Sequence, residues 1–324
     1  MAWTAALGLA AVPTWEEWRY RLQPGTYDLH SCLGGWRESS LPDLLFEPLR
    51  RELDLVIGNA TAFAVPALVV LAGFLGCLGR GDARVVGRRT AGCLGLVAVV
   101  LPVTPAYATE DSCGAVPVLS GEWFATVAGA WGWTQVCLLG AAVLVLAGSR
   151  AMRSEGTAAP GGGVVWRRAA ASLVDYVVIV VGLSLVVGPL LVLTGAGNGY
   201  FGLGLLSVVH TSLYEPDPGG WIALAAVFLY VWGQHLRWGR TLGKRLLGVR
   251  VVFPGAGGRV PAGRTALRAL LFPLLVFVPE AGPLVLVVDG LWALLVDPAG
   301  RALHDRLAGS EVTGRVAEPE SQRR

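Results

Sequence analysis

Apolar residues run in blocks along this chain, over 55–78, 90–107, 124–148, 172–196 and 220–236, separated by polar connections. Each block approaches the roughly 20 residues that carry a helix across a hydrocarbon core. Each therefore predicts a transmembrane helix, with soft ends for the second, which holds Pro102 and Pro105, and for the short fifth. A sixth block, 269–296, contains Pro273, Pro279 and Pro283, with Glu280 and Asp289 among its apolar residues. At about 1.5 Å per residue the halves beside Pro279–Pro283 are each too short to span. The block is then either one broken crossing or a re-entrant hairpin. Backbone broken at that depth must lie against protein or a watery cavity. Residues 1–12 are apolar but too short to cross, and no basic residue precedes them as in a signal peptide. They imply either an upstream start or an interfacial stub.

The polar connections give the sidedness. Arg80, Arg84, Arg88 and Arg89 fall in 79–89, and Arg150, Arg153, Arg167 and Arg168 in 149–171. Eight more basic residues fall in 237–268, whereas 108–123 and 197–219 hold none. Short basic loops stay in the cytoplasm, so the first three connections are expected inside and the other two outside. Segment 13–53 is then outside, its five arginines offset by seven acids. The tail carries Arg301, Arg306, Arg315, Arg323 and Arg324. A hairpin over 269–296 returns it to the cytoplasm and is the preferred form.

Composition agrees with the block pattern. The 324 residues are 54% hydrophobic and 15% charged, with 44 glycines and a mean hydropathy of +0.57. Soluble domains carry about 25% charged residues, so a soluble enzyme, a disordered chain and a disulfide-rich secreted module are all excluded. Lys244 is the only lysine beside 25 arginines, a bias of codon usage that gives no reason to expect nucleic acid.

The run Ser154–Gly163 is polar and glycine-rich, which marks a flexible linker. The expected divisions are a stub and outer segment over 1–53, a three-span region over 54–150, a linker over 151–165, a membrane domain over 166–313 and a polar tail over 314–324. The halves share no convincing repeat, so an inverted-repeat transporter gains no support. Three motifs follow the linker: Trp166–Asp175, with Arg168 seven residues before Asp175; Gly239–Val252, beginning GRTLGKRLLG; and Asp297–Gly309, with His304-Asp305. In this order they resemble the RDD family of bacterial membrane proteins, named for one arginine and two aspartates. The resemblance covers about 166–313 and implies that Arg168, Asp175 and Asp305 are the family's three residues. The family's molecular function is largely undefined, so the resemblance fixes a domain more than an activity.

Seven residues bring Arg168 and Asp175 to nearly one helix face, roughly 10 Å apart along the axis. Arg168 is expected to snorkel at the inner interface while Asp175 lies within the hydrocarbon, at a cost of about 3 kcal/mol or more on insertion scales. Asp175 is then either a proton or cation site or a hydrogen-bonded lock between helices, with Ala169–Ala171 allowing close approach. Asp289 is a second such carboxylate. Beside Asp175 it would form a pair whose proton affinities rise together, and otherwise it caps a half-helix. Arg240, Lys244 and Arg245 face either anionic lipid heads or nothing but the topology rule.

Leu247–Phe253 reads as a strand, Gly255–Gly258 as a turn, and Ser310–Val316 as a second short strand, giving a small cytoplasmic β-hairpin. Asp297-Pro298 reads as a helix start with Gly309 as its stop. His304 and Asp305, adjacent on that helix, point apart and make a poor metal pair, with Arg306 the expected partner of Asp305. Thr14 with Glu17 and Ser40 with Asp43 resemble capping boxes, and Trp15, Trp18 and Trp36 suit a membrane interface. Of five cysteines, Cys77, Cys93 and Cys137 sit in or near spans; Cys32 and Cys113 fall in outer segments, where a bridge between them is expected.

The expected fold is an all-α polytopic membrane protein of five clear transmembrane helices, a broken sixth element and the small hairpin. Its setting is the bacterial plasma membrane, multi-pass, with a cytoplasmic C-terminus. Two functions fit. One is transport of a proton, cation or small solute through an intramembrane carboxylate. The other is a non-transporting membrane scaffold or envelope-assembly protein binding lipid or protein. No paired nucleophile and base supports an enzyme, and no pattern supports a metal or cofactor. The expected partners are the lipid bilayer, anionic lipids, and a second copy or a membrane protein.

Overall fold

The computed structural model describes residues 1–23, 60–79, 82–103, 116–117, 119–152, 162–194, 218–254, 261–276 and 281–314. The chain is mostly helical, with one small two-stranded sheet. It divides into two compact units, Met1–Thr157 and Ala158–Arg324. Cys32, Cys113, Ser40, Trp36, the Gly255–Gly258 turn and the acidic stretch around Glu215 lie outside the described residues.

The first unit contains α1 (Ala2–Arg21), α2 (Val65–Leu78), α3 (Ala83–Val100), α4 (Gly121–Gly129) and α5 (Trp133–Ala151). Helix α5 packs on α3 and α1, and α2 packs on both of those. Ala6 and Ala10 of α1 and Leu138, Ala141 and Val145 of α5 are fully buried, at the three- and four-residue spacing of one helix face. Gly73 faces Thr90, and Gly87 faces Ser149, too closely for a methyl group at either glycine. Small residues at such crossings let backbones approach, which is how helices gain packing energy where no hydrophobic drive separates them from lipid. Leucines and valines such as Leu75, Leu96, Val99, Val136 and Val143 point outward.

Among the described residues two stretches, Ala83–Val103 with 21 residues and Trp133–Ala151 with 19, are long and apolar enough to cross a membrane. Val65–Leu78 and Leu284–Val296 are shorter apolar helices.

Several boundaries differ from expectation for local reasons. Helix α3 starts before residue 90 because Asp82 caps it, its side chain accepting from Arg84 N at 2.9 Å. The run 124–148 is interrupted, since Gly132 is extended and its N–H donates to Gln135 Oε1 at 2.7 Å, opening α5 afresh. Thr14 caps nothing: α1 runs through Pro13, and Glu17 pairs instead with Arg21 at 2.7 Å.

The second unit opens with α6 (Gly162–Gly182), which continues through a π-helical stretch, Leu183–Val187, into α7 (Gly188–Leu193). There follow α8 (Pro218–Trp238), α9 (Leu242–Leu246), β1 (Val249–Val252) and α10 (Ala262–Val276). Last come α11 (Ala281–Leu291), extended by π-helical Trp292–Val296, then α12 (Leu303–Ala308) and β2 (Glu311–Gly314). The strands pair antiparallel, Val249 opposite Gly314 and Val252 opposite Glu311. Val249 and Val251 are buried, and both strands pack on α6.

The proline-broken block forms two helices, α10 and α11, which pack on one another. Arg268, midway along the first, and Asp289, near the end of the second, reach adjacent residues of α12. One end of each of α6, α8, α10 and α11 meets there, with α9, the sheet and α12 laid across them.

Candidate functional site

Arg168 and Asp305 form the centre of this end. Asp305, 0% exposed, bridges two guanidiniums: Arg168 Nη1 at 2.5 Å and Arg268 Nη2 at 2.8 Å. It also accepts from Ala302 N at 3.1 Å and Ser310 Oγ at 3.2 Å. Arg168 donates further to the Gly300 carbonyl at 3.1 Å and meets His304 Nε2 at 3.4 Å. Burial of a lone carboxylate raises its proton affinity. Here Arg268 and Arg168 overcome that effect and hold Asp305 at about 2. The partner expected for Asp305, Arg306, instead pairs with Asp297 at 2.6 Å.

Asp289 works on the same short helix. Its carboxylate accepts from His304 N at 2.9 Å and from His304 Nδ1 at 2.6 Å. His304 is the second residue of α12, whose capping position is Ala302. Alanine has no oxygen to offer the free N–H groups of a first turn, and Asp289 supplies one from another helix.

Asp175 does the same for α9. It accepts from Gly243 N at 2.8 Å, from Tyr230 OH at 3.0 Å and from the hydroxyl of Thr241. Gly243 is the second residue of α9; Thr241 holds the capping position but gives its hydroxyl to Asp175. A side chain at Gly243 would run into the Ala171 carbonyl and the Asp175 carboxyl, so only glycine permits this seating. Both short helices therefore have a second-residue N–H capped by an aspartate from a long helix.

Lys244 follows Gly243 and turns inward. It is 8% exposed, and its Nζ lies 3.2 Å from His235 Nε2, while His235 Nδ1 donates to Val231 O at 2.7 Å. Arg245 points outward with its guanidinium 5.6 Å over the ring of Trp238, and Arg240 is half-buried. Of the three basic residues expected at lipid, Lys244 is thus placed inside the protein.

The three motif residues Arg168, Asp175 and Asp305 all line this end, and Asp289 joins them. Arg168 and Asp305 meet directly, whereas Asp175 and Asp289 serve different short helices. Arg268, Tyr230, Thr241 and His235 were not singled out from sequence. His304 and Asp305 were expected to point apart, but in the first turn of α12 the two side chains converge, His304 Nε2 lying 3.4 Å from Asp305 Oδ1. The helix expected from Asp297 begins only at Leu303, because Asp297 accepts from Arg301 N at 2.8 Å and Gly300 adopts a φ of 68°. Gly309, with φ 60°, does stop α12. Among the described residues no three His, Cys, Asp or Glu side chains group as metal ligands.

Residues 163–309 match the model of the RDD family, which places an RDD domain in the C-terminal half of this chain. No curated protein and no solved structure matches the chain.

Proposed function

We propose that this RDD-domain membrane protein is a non-transporting scaffold, anchored in the bacterial plasma membrane and presenting a basic inner face to anionic lipid and protein partners. One observation carries the reading: each of the three buried carboxylates that a transport path would use is already filled with donors. Asp305 accepts from two guanidiniums, Asp175 from a backbone N–H and two hydroxyls, and Asp289 from the backbone N–H and ring Nδ1 of His304. Carboxylate oxygens already engaged by protein donors are not free to ligate a passing cation. What the groups do instead is fix two short helices and a sheet across four helix ends.

The membrane arrangement in this reading has five crossings and the α10–α11 hairpin, with the ionic end and the C-terminus in the cytoplasm. The arginine-rich connections support that sidedness. Trp238 with Arg245 stacked upon it, and exposed Leu242 and Leu246 beside them, suit the level of lipid headgroups.

Reconstitution in liposomes tests the reading. Under an imposed pH gradient, wild type and Asp175→Asn are both expected to leave proton and alkali-cation flux at the level of empty vesicles. A flux present in wild type and lost in Asp175→Asn overturns the scaffold in favour of transport.

A further inference from the structure

Lys244 differs from every other charged group at the ionic end. Arg168 and Arg268 share Asp305, and the carboxylates have full sets of donors. Among the described residues the hydrogen-bond partner of Lys244 is a neutral acceptor, His235 Nε2 at 3.2 Å. The ring's tautomer is fixed by its Nδ1–H, which donates to Val231 O at 2.7 Å, so Nε2 carries a lone pair facing the lysine. An ammonium and an amine can each donate one N–H to that lone pair. Lys244 can therefore lose or regain a proton without breaking that hydrogen bond.

We propose that Lys244 and His235 form a buried proton-binding site, in which the bound proton sits on Lys244 Nζ and its loss or gain is felt at the seat of α9. The charges facing Lys244 are Arg168 and Asp175 of α6, Arg268 of α10 and Asp305 of α12, with His235 from α8; Arg245 of its own helix turns away to Trp238. Among the groups that face Lys244, two guanidiniums and two carboxylates offset one another, which leaves burial to act on its proton. Burial drives its proton affinity far below the ordinary lysine value, and Arg268 and Arg168 act in the same direction against Asp175 and Asp305. The seat lies one residue away, at the Gly243 N–H held by Asp175. A change of charge at Lys244 thus acts next to the bond that docks α9 on α6.

The sole lysine of the chain makes the test direct. Protein labelled with lysine that is 15N at both nitrogens, in detergent micelles, gives one side-chain signal and one backbone amide signal, both from residue 244. The expected result is a side-chain midpoint well below that of a lysine-containing peptide in the same buffer. The backbone amide is expected to shift with the same midpoint. A side-chain midpoint equal to the peptide's overturns the site. An amide that stays still while the side chain titrates overturns its link to α9. No variant is needed, so a failure to fold cannot obscure either outcome.

Discussion

Asp175 and Gly243 are joined by a 2.8 Å hydrogen bond in which a carboxylate of one helix caps the first turn of another. The bond needs both residues: the oxygen from Asp175, and the missing side chain at Gly243, where any Cβ would meet the Ala171 carbonyl. Asp175→Asn turns one acceptor face into a donor facing donors, and is expected to lower stability by about 1–3 kcal/mol. Gly243→Ala is expected to be worse, since backbone must move. Thermal unfolding in detergent checks both, and an unchanged midpoint for Gly243→Ala would contradict the seating.

The shared carboxylate sets an order among variants. Asp305→Asn leaves two buried guanidiniums unpaired, and losing one partner of a buried pair costs about 3–5 kcal/mol. Arg168→Gln leaves Asp305 with Arg268, so its loss should be smaller. Unfolding midpoints that rank Arg168→Gln below Asp305→Asn would refute the bridge.

Acid should act through the same residue. Arg268 and Arg168 outweigh burial and hold Asp305 at about 2. An acid depressed on folding gives stability that is complete above its unfolded value of about 3.9 and is lost as pH falls toward its folded one. Wild type should therefore lose stability between about pH 4 and 2, and Asp305→Asn should show a flatter profile over that window. Parallel curves would mean that Asp305 does not carry the effect.

Lipid binding should separate the three basic neighbours. Arg240→Gln with Arg245→Gln is expected to reduce the anionic phospholipid retained through purification, at about 1 kcal/mol per charge near a headgroup layer. Lys244→Gln should not, because Lys244 faces His235. Lipid phosphorus analysis of the purified proteins decides it, and equal losses in all three would place Lys244 at the surface.

The cysteine prediction stands on sequence. Cys77, Cys93 and Cys137 are free thiols in the structure, while Cys32 and Cys113 lie outside the described residues. Non-reducing peptide mapping is expected to yield one Cys32–Cys113 cross-link. Free alkylation of both before reduction would dismiss it.

Legibility in the sequence followed locality. The strand pair was visible because Val249, Val251 and their neighbours alternate and glycines bound them; the broken block was visible through Pro273, Pro279 and Pro283. The split of 124–148 was hidden, because hydropathy does not register that Gly132 is extended. At the candidate site the family resemblance pointed to Arg168, Asp175 and Asp305, but not to their partners. Arg268 looked like one topology arginine among several, and only the packing of α10 on α12 brings it to Asp305. Asp297 misled because its Asp-Pro pair is a good local helix start, and the φ of 68° at Gly300 ends that prospect three residues later.

Trans-capping has a consequence for how the chain is made. Arg168 emerges from the ribosome long before its partners, with 136 residues separating it from His304. Until α12 is synthesised, Arg168 and Arg268 have no carboxylate between them and must stay hydrated at the membrane edge. Helix α12, too short to persist alone, takes shape only when Asp289 is waiting for it. A late element of the domain is thus the one that closes it, and a chain halted before residue 300 exposes two unmatched guanidiniums for the cell's proteolytic surveillance to find.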